Sequence, residues 1–132
     1  MHFDGASSAE GNGAKIILFS PTGKLQQYSF HLNFECTNNI AEFESLALGL
    51  HEGLQLGFRH LQTFGDSELF INMIKGKYRP ATKIFHLYID TINQSIESFL
   101  SFNLTHIHRE LNAMADKLAF FTLIPSQQLL RE

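Results

Sequence analysis

Four acidic residues, Asp4, Glu42, Asp66 and Asp116, fall where the chain passes into or out of a regular element, in the strings FDGAS, TNNIAEFESL, FGDSELFIN and HIHRELNAMADKLA. If the four converge, their chemistry is oxygen ligation of hard divalent cations and metal-assisted hydrolysis. The formal charge of −3 argues against a strongly electrostatic grip on a polyanion. Two divalent cations would add four positive charges, taking −3 to +1 and reversing the field at the site.

Each acid also has an ordinary reading. Asp4 lies in or at the end of a strand, where Asp is disfavoured; Gly5 beside it permits close approach, yet a strand-ending Asp before a turn reads the same way. Asp66, between a strand and a helix, is equally a helix N-cap. Asp116 sits in the first turn of the last helix, where the helix dipole alone favours an acid. Glu42 is better determined because Glu44 lies about 200° away around the same helix. Steps of three and four residues from Glu42 reach Leu46, Gly49 and Gly53, whereas those from Glu44 reach Leu48, His51, Glu52 and Gln55. Glu42 is therefore the inward carboxylate, costly to bury unless paired or bound to metal.

The elements that must position these groups follow from periodicity. Residues 2–8, 14–20 and 25–32 read as three strands of an antiparallel meander, with a PTGK turn between the second and third. A helix over 38–57 carries the apolar stripe Ile40, Phe43, Ala47, Leu50 and Leu54. LQTFGD at 61–66 is a fourth strand, SELFINMIK a short helix, and 83–100 a longer helix with Ile84, Leu87, Tyr88, Ile92, Ile96, Phe99 and Leu100 on its apolar side. FNLTHI is the last strand, and a closing helix spans 113–123. The β-α-β order after residue 38 implies parallel pairing by a crossover, hence an α/β domain.

At 132 residues, 44% hydrophobic and 17% charged, the chain fits one domain. We assign it to residues 1–124, with 125–132 as a C-terminal tail. The single cysteine, Cys36, excludes an internal disulfide framework and fits a reducing intracellular setting, cytoplasm or nucleus. No run approaches the roughly 20 apolar residues of a membrane span, so no membrane partner is expected.

Taken together and in order, the four strings resemble ribonuclease H of type 1. The likeness is to the short form found as a domain of plant gypsy-type retrotransposon polyproteins and in archaeal and bacterial enzymes, and it covers roughly residues 2–123. The resemblance implies an RNase H-like fold, a five-stranded mixed sheet of order 3-2-1-4-5 with the first three strands antiparallel and helices on both faces. It carries the family's four metal-binding carboxylates onto Asp4, Glu42, Asp66 and Asp116, with none substituted. It further implies hydrolysis of the RNA strand of RNA/DNA hybrids with two Mg²⁺ ions, fully bound only with substrate and replaceable by Mn²⁺. The products would be 5′-phosphate and 3′-hydroxyl ends. A monomer tethered to a reverse transcriptase in a polyprotein is the expected setting, and a start three residues before Asp4 leans toward an excised domain.

Substrate contacts are implied at Thr37, Asn38 and Asn39, which match the stretch before the catalytic helix; TNN is also an ordinary turn and N-cap. Asn112 matches the family's Asn and doubles as an N-cap candidate for the closing helix. The loop before that helix departs from short-form relatives, with His108 where many have Pro. Of His106, His108 and Arg109, Arg109 is the candidate for a catalytic or product-release role. No extra basic helix follows Asn72; Lys75, Lys77, Arg79 and Lys83 are the local cations, so binding should be modest and fall with salt. A catalytically silent nucleic-acid-binding or scaffolding domain is the alternative, and a DNA-cutting relative of the wider superfamily a third reading.

Overall fold

Strict alternation in the second strand puts Ala14, Ile16 and Leu18 on one face, and all three are buried in the computed structural model, which describes residues 1–9, 11–34 and 37–112. The strands are β1 His2–Ser8, β2 Gly11–Phe19, β3 Leu25–Leu32, β4 His60–Gly65 and β5 Ser101–His106. The helices are α1 Asn38–Gln55, α2 Glu68–Ile74, α3 Lys83–Glu97 and α4 Arg109–Asn112. The expected closing helix, the 125–132 tail, Asp116 and Cys36 lie outside the described residues.

The sheet order is β3-β2-β1-β4-β5. The first three strands pair antiparallel, and β4 runs parallel to both β1 and β5. This is the expected RNase H-like topology. Strand β2 begins three residues earlier than expected, because Gly11, Asn12 and Gly13 pair with Ser8, Ser7 and Ala6. Ladder hydrogen bonds override the turn preference of these residue types.

α1 is buried on more than one stripe because it lies between the sheet and α3. Phe43 and Leu50 are fully buried as expected, but so are Ala41, Ser45, Leu46 and Gly49, whereas Leu54 is exposed. Phe43 is the hub of the aromatic core: its ring centroid lies 4.8 Å from Phe70, 5.0 Å from Tyr88 and 5.4 Å from Phe85. Each such pair adds about 0.5–1.5 kcal/mol beyond area burial. The residue beside Glu42 is thus among the best anchored in the protein.

α3 ends at Glu97, short of the expected Leu100, because the Leu100 N–H turns to the Arg59 carbonyl at 2.7 Å and starts the β4–β5 pairing. Its buried side is narrower than its sequence suggests. Ile92 and Phe99 are buried, while Ile84, Leu87 and Leu100 are exposed. On the sheet face opposite Phe3, His2, Gln62 and Phe64 are buried too, and the His2 ring stacks on Phe64 at 5.0 Å. No helix among the described residues is long and apolar enough to cross a membrane.

Candidate metal centre

Connections leave β1 toward β2 on one side and β4 toward β5 on the other, so the β1–β4 junction is the switch point of the sheet. Crevices for ligands form at the carboxyl ends of strands at such points. Pairing there has His2 opposite Phe64, and two residues further on stand Asp4, within β1, and Asp66, just past the end of β4. Adjacent strands lie about 4.8 Å apart, so the register alone brings these acids to one place.

α1 supplies the third. Asp4, Glu42 and Asp66 each present an oxygen such that these atoms all lie within 4.8 Å of one another. Two glycines permit this approach. A Cβ on Gly5 would sit 2.1 Å from the Ala41 carbonyl oxygen, so only glycine lets α1 rest directly on β1. A Cβ on Gly65 would meet the Phe3 ring at 2.6 Å. Asp4 and Asp66 therefore each have a glycine beside them, required by contact distance.

Glu42 is 4% exposed, and its Oε1 accepts a hydrogen bond from the Gly5 N–H at 2.5 Å. Its Oε2 is buried with no hydrogen-bond partner among the described residues. Burial pushes the Glu42 carboxyl up to about 8; the Gly5 hydrogen bond opposes this, the charges of Asp4 and Asp66 add to it, and Arg109 offsets part. The orphaned Oε2 faces a desolvation cost that a cation would remove. An all-oxygen, all-carboxylate donor set suits a hard divalent ion that keeps waters. The residues present fit such a group.

Asp66 is not a helix cap. Ser67 is the N-cap of α2, its Oγ accepting from the Phe70 N–H at 3.3 Å, which leaves Asp66 one residue outside the helix. Its buried side chain, 4% exposed, is approached by the Arg109 Nε at 3.7 Å. Arg109 is placed there by the end of the β4–β5 ladder: Gly65 pairs with His106, and the Ile107 N–H donates to the Gly65 carbonyl at 2.9 Å. His106 and His108 are both exposed, with ring centroids 6.4 Å apart.

Thr37 is the N-cap of α1, its Oγ1 accepting from the Ile40 N–H at 3.3 Å, and it is exposed. The exposed Asn38 accepts from the Ser7 N–H through its Oδ1 at 2.9 Å. Asn39 is half-buried. Asn112 is the last residue of α4, and nothing is described of its side chain. Sequence reading missed one support. Glu44, about 200° from Glu42 around the helix, accepts from the Tyr88 hydroxyl at 2.6 Å and ties α1 to α3. A contact between residues 44 positions apart leaves no local signal.

A family model described as "Reverse transcriptase-like" matches residues 2–122. Ribonuclease HI of Halobacterium salinarum is 27% identical over 120 residues, covering 89% of this chain and 60% of that protein. A bifunctional protein of Mycobacterium tuberculosis is 31% identical over 85 residues, 63% of this chain and 23% of its own length. The chain thus spans less than two thirds of these relatives. Among solved structures, the Halobacterium salinarum RNase H1 superposes with a TM-score of 0.79 at 26% identity, covering 92% of this chain and 94% of that one. LC11-RNase H1, solved in complex with an RNA/DNA hybrid, gives 0.74 at 24% identity, with 88% and 89% covered.

Proposed function

Because this chain belongs to the reverse transcriptase-like family and has the ribonuclease H fold, we propose that it is a metal-dependent endonuclease hydrolysing the RNA strand of RNA/DNA hybrids. The observation that carries this reading is the convergence of Asp4, Glu42 and Asp66 at the sheet's switch point, with a buried Glu42 oxygen unsatisfied. The names of its relatives, and the hybrid bound by a protein of the same fold, support the choice of substrate. Asp116 is assigned as the fourth ligand from its motif.

In this reading Asp4, Glu42, Asp66 and Asp116 hold two Mg²⁺ ions, with Mn²⁺ as a substitute. When bound, such ions activate the attacking water and stabilise the leaving 3′ oxygen, giving 5′-phosphate and 3′-hydroxyl ends. The chain's own residues do the rest. Gly5 holds one Glu42 oxygen so that the other is directed to the cation site. Arg109, exposed yet beside Asp66, is suited to meeting a phosphate and to assisting product release. Thr37, Asn38 and Asn39 stand at the head of α1, where hydroxyl and amide groups can meet a phosphate and the 2′-hydroxyls of a hybrid minor groove. An intracellular monomer tethered to a reverse transcriptase completes the proposal.

Cleavage of end-labelled RNA/DNA hybrid, double-stranded RNA and double-stranded DNA with Mg²⁺ tests it. Hybrid cutting that an Asp66→Asn variant lacks is the expected result. Activity no greater than that variant's would leave the silent-scaffold reading, and preference for DNA would move the chain to another branch of the superfamily.

A further inference from the structure

Alternate residues of a strand aim their N–H groups to the same side. Gly5 and Ser7 are such a pair, and both donate to side chains of α1. Strand β4 pairs with β1 at His2 opposite Phe64 and ends at Gly65. Among the described residues no strand therefore reaches these two donors, and buried or half-buried N–H groups require acceptors. Glu42 accepts from Gly5 at 2.5 Å and Asn38 from Ser7 at 2.9 Å. The spacings agree: two strand residues advance about 6.6–6.8 Å, and one helical turn of four residues about 6 Å. Two side chains one turn apart on α1 thus replace the strand that β1 outruns.

We propose that Asn38 is a positioning residue for Glu42. By holding Ser7, it fixes the first turn of α1 against β1, which commits Glu42 Oε1 to Gly5 and leaves Oε2 for a cation beside Asp4 and Asp66. This rests on the metal-site reading above and adds a part for Asn38, expected to touch substrate or to belong to a turn and N-cap. A backbone N–H can only donate, so the Asn38 atom facing Ser7 must be its oxygen, while both NH₂ donors remain for a substrate. The two roles therefore reside on different atoms of one side chain, and substitutions can separate them. Asn38→Ala removes both, whereas Asn38→Asp keeps the acceptor and loses the NH₂.

The test combines amide hydrogen exchange at Ser7 with Mn²⁺ titration of the substrate-free protein, followed by hybrid-cleavage kinetics. Asn38→Ala should speed Ser7 exchange, weaken Mn²⁺ binding about tenfold, the scale for loss of an outer-shell support, and lower kcat. Asn38→Asp should keep Ser7 protection and bind Mn²⁺ at least as tightly as the native chain, with any loss confined to KM. The proposal is overturned if Asn38→Ala leaves Mn²⁺ affinity unchanged, if Asn38→Asp loses as much as Asn38→Ala, or if the native chain binds no Mn²⁺. A native chain that bound Mn²⁺ but cut no hybrid would defeat the proposed function while the exchange and titration results still decided the role of Asn38.

Discussion

The guanidinium Nε of Arg109 lies 3.7 Å from Oδ2 of Asp66, an 84% exposed cation against a carboxylate that is itself buried. A pair whose cation is this exposed contributes little stability, and it sets a solvent-exposed positive charge beside a carboxylate of the candidate cation site. Arg109→Ala should tighten Mn²⁺ binding a few-fold, because a competitor is removed, and slow hybrid turnover about tenfold, equivalent to about 1.4 kcal/mol of barrier. Titration calorimetry and single-turnover cleavage measure the two. Weaker Mn²⁺ binding in the variant would contradict the competition.

Asp66→Asn keeps the shape of the side chain while removing its charge, and Ser67 continues to cap α2. Folding should survive. Metal affinity should fall by more than the roughly 100-fold that loss of an outer-shell partner costs, and cleavage with it. Circular dichroism beside Mn²⁺ titration checks both halves, and a variant that binds metal normally would remove Asp66 from the ligand set.

The raised Glu42 carboxyl predicts a pH dependence in metal-free protein. Its folded-state value, about 8, exceeds the ordinary 4.5, so the folded state binds the extra proton. The associated stability is fully present below about pH 4.5 and is lost as pH rises through 8, at up to about 1.4 kcal/mol per pH unit. Glu42→Gln should flatten that decline, read from urea unfolding between pH 5 and about 9 in the presence of a chelator. Saturating Mg²⁺ should flatten it as well, with proton release on binding. Equal pH slopes for native and Glu42→Gln proteins without metal would exclude this assignment.

Contact distance at Gly5 leaves no space for a methyl group, since its carbon would lie 2.1 Å from the Ala41 oxygen and 2.6 Å from the Glu42 nitrogen. Gly5→Ala should destabilise by about 1–3 kcal/mol or more, because the obstruction is backbone and relief requires moving α1. In thermal melts Gly5→Ala should fall below native, and its Mn²⁺ affinity should fall too, as Glu42 moves with its helix. Full stability in Gly5→Ala would show that α1 can shift freely.

Lys75, Lys77, Arg79 and Lys83 are exposed along the segment from the end of α2 to the start of α3. If they meet phosphates, each neutralised contact contributes roughly 0.7–0.9 to the slope of log affinity against log salt. Lys77→Ala combined with Arg79→Ala should lower that slope by about 1.4–1.8 on the same scale. Fluorescence anisotropy with labelled hybrid over a salt series is the measurement, and an unaltered slope would return these residues to plain solvation.

Much of this molecule is legible in one dimension. Periodicity located every described strand and the three longer helices, and the phase of Glu42 against Glu44 identified the buried acid, because helical rotation is a local property. The four motifs in order gave the topology by resemblance. What the chain alone left ambiguous was decided by residues far apart in sequence. Asp66 reads as a helix cap until Ser67 takes that position and Arg109 arrives from the end of β5. Asn38 reads as a cap or a substrate contact until Ser7, 31 residues away, donates to it. Leu54, Leu87 and Leu100 look like core residues but stay exposed, since burial depends on which neighbour covers a stripe. Local sequence determined which side chains could act as ligands, caps or core. Only packing of α1 onto β1, at a distance that Gly5 alone permits, decided which oxygen of Glu42 is held by the protein and which is left without a hydrogen-bond partner among the described residues.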